Sequence, residues 1–279
     1  MPRSRRPIRD PVEPADSSPL EAAVAARDRE TMSMVQRALR RRDVLLAFQP
    51  VVQAASPSKP AFYEGFIRVL DDAGRIIPAR EFMGAVETSE EGRIIDCLAL
   101  EMGLDSLARD ITLRLSVNMS ARSIAYPQWT RTLRRGLKAC ATAAERLILE
   151  ISEESAMVMP DIVTVFMKDL QKQGISFALD DFGAGATSFK YLQKFYFDFI
   201  KIDGQFIRGI ADNPDNRCMT EALLSIARHF DMFAVAESVE TARDAEVLAD
   251  IGMDCLQGYY FGAPTVTPPW KVPEARKRA

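Results

Sequence analysis

Phe177-Ala178-Leu179-Asp180-Asp181-Phe182-Gly183 joins an apolar, strand-like run to two adjacent acids. The run is short and continuous, which is typical of a buried strand. Two carboxylates at the end of a buried strand repel each other and resist burial unless a cation lies between them. The segment therefore predicts a strand end that holds a divalent metal ion.

Five further apolar runs end in a side chain that can bind a metal ion or carry a proton. They are Tyr63-Glu64, Leu115-Ser116-Val117-Asn118, Leu147-Ile148-Leu149-Glu150, Phe199-Ile200-Lys201 and Val235-Ala236-Glu237. A single acid at a strand end is most often a helix cap or half of an ion pair. Because so many such endings occur in one chain, we expect them to meet at one rim and form a metal-dependent active site.

Eight β-rich runs alternate with helical patterns along most of the chain. The runs lie near residues 45–51, 61–67, 113–118, 147–151, 176–180, 198–202, 233–237 and 254–257, and helices are predicted at Arg93–Ala108, Gln128–Cys140, Ser155–Gln173, Asn216–Phe230 and Thr241–Ile251. This alternation predicts an α/β fold, a TIM-type (β/α)₈ barrel. An open doubly wound sheet is the alternative, but no Gly-rich phosphate loop follows an early strand.

The first connection departs from the regular pattern. Only Gln53–Pro60 separates the first two strands, whereas a parallel crossover needs about a dozen residues or more. We therefore expect a modified barrel in which the first strand is antiparallel.

Length and composition set the class of protein. The 279 residues are 47% apolar and carry a formal net charge of −3, which favours one large globular domain and gives no reason to expect a DNA or RNA polymer as partner. No segment reads as a membrane span or a secretory signal, so we expect a cytoplasmic protein. The segment 1–19 reads as a disordered basic tail, 20–42 as a helical segment and 269–279 as a basic C-terminal tail.

Cysteine and histidine are excluded as the main reactive groups. Cys97, Cys140, Cys218 and Cys255 lie far apart and show no paired metal-ligand spacing, so we expect reduced packing residues. His229 is the only histidine and lies at the end of a predicted helix, which leaves no histidine triad or histidine-rich metal site. Carboxylates, one amide and water suit Mg²⁺ or Mn²⁺.

The acid pair points to a specific chemistry. Asp180 has two oxygens that can bridge two cations while Asp181 binds one of them, and such metal pairs favour phosphodiester hydrolysis. Lys201 can hold the attacking water or screen the phosphate, or it can simply form a salt bridge with an acid. The glycine-containing segment Phe182–Ser188 reads as an active-site loop or as an ordinary βα connection. Glu153 reads as a helix cap or as a hydrogen-bond acceptor that holds this loop.

An ordered series of motifs runs through the predicted strand ends. The motifs are Gln49-Pro50-Val51-Val52, Glu64-Gly65-Phe66-Ile67-Arg68, Val117-Asn118-Met119-Ser120, Glu150-Ile151-Ser152-Glu153, Asp180-Asp181-Phe182-Gly183-Ala184-Gly185, Lys201-Ile202-Asp203, Ala236-Glu237-Ser238-Val239-Glu240 and Leu256-Gln257-Gly258. Together they resemble the EAL domain, the bacterial cyclic di-GMP phosphodiesterase. The resemblance covers roughly residues 42 to 268 and gives the barrel the range 43–268.

The resemblance implies roles for individual residues. Two ions, Mg²⁺ or Mn²⁺, would be held by Glu64, Asn118, Glu150, Asp180 and Asp181. Lys201 and Glu237 would position the attacking water, and the dinucleotide would contact Gln49, Arg68, Glu240 and Gln257. The product would be linear pGpG, and a homodimer is implied as well.

Two departures from the family motifs keep a second function open. The signature Glu-Ala-Leu is present as Glu64-Gly65-Phe66, and Ala186 replaces the aromatic residue that is usual in the loop. All the expected metal-ligand types are nevertheless present. The alternative to an active phosphodiesterase is a catalytically inactive receptor that binds cyclic di-GMP and signals through a partner.

Overall fold

The computed structural model describes residues 19–185, 189–268 and 270. Nine strands form one sheet: β1 Val44–Gln53, β2 Ser56–Leu70, β3 Ile76–Pro78, β4 Leu115–Asn118, β5 Leu147–Ser152, β6 Ser176–Phe182, β7 Phe199–Ile202, β8 Phe233–Ala236 and β9 Cys255–Gln257. The helices are α1 Pro19–Arg41, α2 Met83–Val86, α3 Glu90–Arg109, α4 Pro127–Ala139, α5 Glu153–Val158, α6 Pro160–Gln171, α7 Phe189–Leu192, α8 Gly204–Ile207, α9 Pro214–His229 and α10 Ala242–Asp250.

The sheet closes into an eight-stranded barrel with one extra strand. Its order is β1-β9-β8-β7-β6-β5-β4-β2-β3, and β1 also pairs with β2, which closes the ring and leaves β3 outside it. Strand β1 runs antiparallel to both β2 and β9, whereas the pairs from β2–β4 to β8–β9 are parallel. The predicted modified barrel with an antiparallel first strand is confirmed.

All eight predicted barrel strands are present, and β3 is the strand that the sequence pattern missed. It is only three residues long and pairs antiparallel with the end of β2. The predicted helix Ser155–Gln173 is wrong as one element, because the chain forms α5 and α6 with a break at Met159. Pro160 causes this break, since proline disfavours helical backbone in the residue before it and starts a helix well.

Alternating apolar residues fill the barrel and the layer between sheet and helices. Phe177 and Leu179 of β6 are fully buried, as is Ile200 of the neighbouring β7. The parallel strands are buried on both faces, which explains their nearly continuous apolar sequences. This rigid ring fixes the strand ends, so the polar residues that follow the apolar runs have defined positions.

Several predictions concern residues at the edges of the described part. Residues 1–18, the loop residue Ala186 and residues 271–279 lie outside it. Trp270 belongs to the predicted C-terminal tail, yet its ring packs edge-on against Phe48 with centroids 4.8 Å apart.

None of the helices in the described ranges is long and apolar enough to cross a membrane.

The four cysteines are unpaired. Cys97 and Cys255 are buried as expected, but Cys218 is exposed on α9 and therefore is not a packing residue.

Candidate metal centre

The polar strand endings meet at the carboxyl end of the barrel. Parallel register places Asn118 opposite Glu150 and Ser152 opposite Asp180, and antiparallel register places Gln49 opposite Glu64. Glu237 follows β8 directly. The strands of the closed ring thus deliver polar groups to the same rim, as expected for this architecture.

Lys201 lies at the centre of the acid cluster. Its Nζ is 3.0 Å from Glu64 Oε2, 2.8 Å from Glu150 Oε2, 2.9 Å from Asp180 Oδ1 and 2.7 Å from Glu237 Oε1. The lysine side chain is only 1% exposed. Four carboxylates therefore share one buried ammonium, and the expected ion pair of Lys201 involves four acids rather than one.

One ammonium cannot satisfy this cluster. A lysine has three N–H donors, fewer than the four carboxylates around it. Oε1 of Glu150 is buried and has no hydrogen-bond partner within residues 19–185, 189–268 and 270. Buried carboxylate oxygens without donors are costly unless a cation binds them, so the donor set fits divalent cations that prefer oxygen ligands.

A bulge in β6 brings both neighbouring aspartates to the rim. In a regular strand Asp180 and Asp181 would point to opposite faces. The pairing of β6 with β7 shifts between Leu179 and Phe182, where β6 holds one residue more than its partner strand. Asp181 has a φ of 54°, a left-handed conformation that aspartate tolerates better than most residues.

Two groups of three acids can each hold a cation. One consists of Glu64, Glu150 and Asp180, and the other of Asp180, Asp181 and Glu237; within each group one oxygen per residue lies within 4.8 Å of the others. Asp180 belongs to both groups. The bridging role of Asp180 stays a prediction, and Glu237 joins the second group beside Asp181.

Amide side chains hold Glu64 in place. Asn118 Nδ2 donates to Glu64 Oε1 at 2.7 Å, and Gln257 Nε2 donates to Glu64 Oε2 at 2.7 Å. Gln257 also contacts Gln49 Oε1 at 3.2 Å, and Gln49 donates to the carbonyl oxygen of Gly262. Gln49 and Gln257 therefore orient an acid of the centre as well as facing the cleft.

Burial and like charges raise the pKa values of the acids. Burial, followed by the charge of Glu64, raises the pKa of Glu150 well above its usual value, and burial raises that of Glu237 although Lys201 opposes both shifts. Burial and the charge of Asp180 raise the pKa of Asp181 to about 6. Burial lowers the pKa of Lys201, but the surrounding carboxylates outweigh it and the net shift is upward, so the lysine stays charged.

A cleft of about 480 Å³ opens from the acid cluster. Glu64, Asn118, Asp180, Asp181, Lys201 and Glu237 line it together with Gln49 and Arg68. The Arg68 guanidinium lies over the Phe66 ring, 5.4 Å from its centroid, and donates to the carbonyl oxygen of Ile67. A cationic group thus faces the cleft four residues beyond the acid Glu64.

A second cavity of about 360 Å³ adjoins the first. Glu240 and Gln257, both predicted from the sequence to contact a ligand, line this second cavity. Gln49, Phe66, Arg80, Glu237 and Tyr259 line both cavities. Together the two cavities form a groove with two lobes.

Several lining residues were missed by the sequence analysis, among them Arg80, Tyr259 and Arg208. Arg80 lies in a 3₁₀ turn, Ala79–Glu81, that follows β3, and Tyr259 and Arg208 lie in loops after β9 and α8. None of them ends an apolar run, so the pattern that found the acids had no signal for them. Glu153, which the sequence analysis did not count among the site residues, accepts a hydrogen bond on Oε2 from Gly183 N at 3.2 Å. It thus contacts the start of the segment that follows β6.

Comparison with known proteins agrees with this geometry. MucR of Pseudomonas aeruginosa, a bifunctional diguanylate cyclase/cyclic di-GMP phosphodiesterase, is 29% identical over 255 residues, which cover 88% of this chain and 37% of that protein. The chain spans between 27% and 37% of the length of the first curated relatives that it matches.

Solved structures and a family model match most of the chain. The c-di-GMP complex of the PaMucR phosphodiesterase is 28% identical with a TM-score of 0.73, and the FimX EAL domain from Pseudomonas aeruginosa bound to c-di-GMP is 26% identical with a TM-score of 0.77; each alignment covers 85% of this chain and 97% of the other. The model described as the EAL domain matches residues 32–264. The chain therefore belongs to the EAL domain family.

Proposed function

We propose that this chain is a cyclic di-GMP phosphodiesterase that hydrolyses cyclic di-GMP to linear pGpG with two divalent cations. The observation that carries the proposal is the position of Asp180, whose carboxylate is shared by two adjacent groups of acids. A bridging carboxylate between two cation positions suits an in-line displacement at phosphorus. The family membership and the similarity to MucR support the substrate.

The acids divide between the two cation positions. Glu64, Asn118, Glu150 and Asp180 would hold one ion, Asn118 through its amide oxygen, and Asp180 with Asp181 would hold the other. When bound, Mg²⁺ or Mn²⁺ would activate water and neutralise charge on the reacting phosphate. The buried and unpartnered Oε1 of Glu150 supports a cation at the first position.

Lys201 and Glu237 would orient the attacking water. The charged Nζ of Lys201 is held by carboxylates from four strand ends, and Glu237 lies 2.7 Å from it. Partly exposed Glu237 faces the cleft and can accept a hydrogen bond from the water. Water oxygen bonds to phosphorus, the bond from phosphorus to the 3′ oxygen breaks, and that oxygen takes a proton, which leaves linear pGpG.

The two-lobed groove suits a ligand with two bases. Arg68 would bind a phosphate, since its charge is permanent and its donors form a fork. Gln49, Glu240 and Gln257 would contact the dinucleotide at the second lobe, where the carboxylate of Glu240 can accept from the edge of guanine.

Turnover by the purified chain tests the proposal. Incubation with cyclic di-GMP and Mg²⁺ or Mn²⁺ is expected to yield pGpG, and Asp180→Asn is expected to abolish it. Asp169→Asn is a matched control, because Asp169 is exposed on α6 and pairs with Lys172, three residues along the chain. Absence of pGpG from the wild-type chain with either ion would refute the proposed activity.

A catalytically inactive receptor is the second candidate. The FimX EAL domain, described as bound to c-di-GMP, resembles this chain with a TM-score of 0.77, and Gly65 and Phe66 stand where the family signature has alanine and leucine. Binding of cyclic di-GMP without turnover would support this function. Turnover that Asp180→Asn removes would exclude it.

The assembly and location belong to the same proposal. A homodimer is implied by the family resemblance, and light scattering coupled to gel filtration tests it directly. A cytoplasmic location is proposed as well, and fractionation of cells that express the chain tests it.

A further inference from the structure

Arg80 occupies a position between the two lobes of the groove. It lies in the 3₁₀ turn Ala79–Glu81, its side chain is exposed, and it lines both cavities. Arg68, in contrast, lines only the first cavity. A ligand that fills both lobes would therefore pass next to Arg80.

Arg68 and Arg80 are like charges that act on each other across the cleft. Burial lowers the pKa of Arg68 and the charge of Arg80 lowers it further, whereas the charges of Tyr259 and Glu64 oppose this shift. Neither arginine forms an ion pair in the described part of the chain, whereas many other described arginines do: Arg37, Arg41, Arg42, Arg75, Arg109, Arg135, Arg208, Arg217 and Arg243. Two guanidinium groups that repel each other in a cleft are stabilised by an anion that both can contact.

The position of Arg68 is fixed before any ligand binds. Its guanidinium rests on the Phe66 ring and donates to the carbonyl oxygen of Ile67. Phe66 lines both lobes. Phe66 thus has a physical role, because the guanidinium of Arg68 rests on its ring within the cleft that Arg80 also lines.

The acids define which phosphate the arginines can reach. Asp180, Asp181 and Glu237 line the same cleft and would take the phosphate that reacts. A cyclic dinucleotide carries a second phosphate with its own negative charge. We propose that Arg80 acts with Arg68 to bind this second, non-reacting phosphate, and thereby sets the affinity of the groove for cyclic dinucleotides; this inference rests on the proposed function.

A contact to the non-reacting phosphate has a defined kinetic signature. It is made equally in the ground state and the transition state, so its loss raises KM and leaves kcat unchanged. A charge-assisted hydrogen bond contributes roughly 10- to 100-fold in affinity. We therefore expect Arg80→Gln to raise KM for cyclic di-GMP by about that factor, and Arg80→Lys to restore part of the loss.

Arg75 provides a matched control. It lies in the connection between β2 and β3, is 78% exposed and pairs with Asp71 at 2.6 Å, and it lines neither lobe of the groove. Arg75→Gln removes the same charge from the same part of the surface. Its KM should stay within about twofold of wild type, which separates a direct contact from a general change in surface potential.

The test measures kcat and KM of the full chain with cyclic di-GMP and Mn²⁺, and Kd by calorimetry for wild type and variants. Suppose that the wild-type chain turns over cyclic di-GMP. If the KM of Arg80→Gln is then within twofold of the wild-type KM, or if only kcat falls, the role of Arg80 is overturned and the proposed phosphodiesterase activity stands. If the wild-type chain binds cyclic di-GMP without turnover and Arg80→Gln weakens this binding, the role of Arg80 is supported and only the proposed phosphodiesterase activity is refuted. A wild-type chain that does not bind cyclic di-GMP overturns both.

Discussion

Lys201 Nζ lies 2.7 Å from Glu237 Oε1, which joins the end of β7 to the residue that follows β8. The same ammonium contacts Glu64, Glu150 and Asp180. One buried cation therefore links side chains from β2, β5, β6, β7 and the loop after β8. Its loss should affect the stability of the rim as well as any chemistry there.

Replacement of Lys201 by methionine keeps the length of the side chain and removes its charge. The buried acids then lack their cation, so Lys201→Met should lower the free energy of unfolding at pH 8 by about 3 kcal/mol. Burial and Glu64 already raise the pKa of Glu150, and loss of the ammonium raises it further. A carboxyl group whose pKa is raised in the folded state makes the protein less stable as pH rises. The difference in free energy of unfolding between Lys201→Met and wild type should therefore be smaller at pH 5 than at pH 8.

Urea unfolding without added metal, at pH 5 and pH 8, measures this effect. Lys194→Met is the control, since Lys194 is 50% exposed and pairs with Asp161 at 3.6 Å, and exposed pairs contribute little. Equal free energies of unfolding for Lys201→Met and wild type at pH 8 would contradict the prediction.

Glu153 is expected to support turnover through the loop. It is buried at the start of α5, and its carboxylate accepts a hydrogen bond from Gly183 N, two residues after Asp181. Glu153→Ala removes this acceptor and should lower kcat roughly 10- to 100-fold, as loss of a supporting contact commonly does. Glu153→Gln keeps an acceptor and should retain more activity. Glu154→Ala, on the exposed side of the same turn, should leave kcat unchanged; a similar fall in both alanine variants would rule out the specific role of Glu153.

The sequence predicts the barrel well because its strands are buried on both faces. Each strand is therefore a continuous apolar run that is easy to recognise. The polar residue at the carboxyl end of the run marks the rim at which the reactive groups collect. The short link Gln53–Pro60 predicts the antiparallel first strand for a purely geometric reason, the minimum length of a parallel crossover.

The remaining features depend on contacts that no short pattern encodes. The bulge that turns Asp180 and Asp181 toward one rim is a property of the pairing between β6 and β7. Arg80 reaches the groove because β3 folds back on β2, and β3 itself is too short to leave a periodic signal. Roles in the site therefore required the tertiary structure, and the individual assignments stay proposals.

Two glycines should respond differently to alanine. A Cβ on Gly65 would lie 3.1 Å from Leu46 Cδ2, the end of a flexible side chain, so Gly65→Ala should change the free energy of unfolding by less than about 1 kcal/mol. A Cβ on Gly258 would lie 2.0 Å from the carbonyl oxygen of Val239, and backbone cannot move aside so easily. Gly258→Ala should cost about 3 kcal/mol or more. Thermal or urea unfolding of the two variants checks the difference, and equal losses would contradict it.

Because of Asp96, the free energy of unfolding should decrease as the pH rises from weakly acidic to neutral. Burial raises the pKa of Asp96 to about 7 from 3.8, although Ser123 Oγ and Ser120 N both donate to its Oδ2. Between these values the folded state binds a proton that the unfolded state has lost, so stability decreases as pH rises, by roughly 4 kcal/mol in all. Asp96→Asn keeps an acceptor oxygen for both donors and cannot ionise. The free energy of unfolding of this variant, relative to wild type, should therefore rise from pH 4 to pH 8, and parallel pH profiles would show that Asp96 does not titrate in this range.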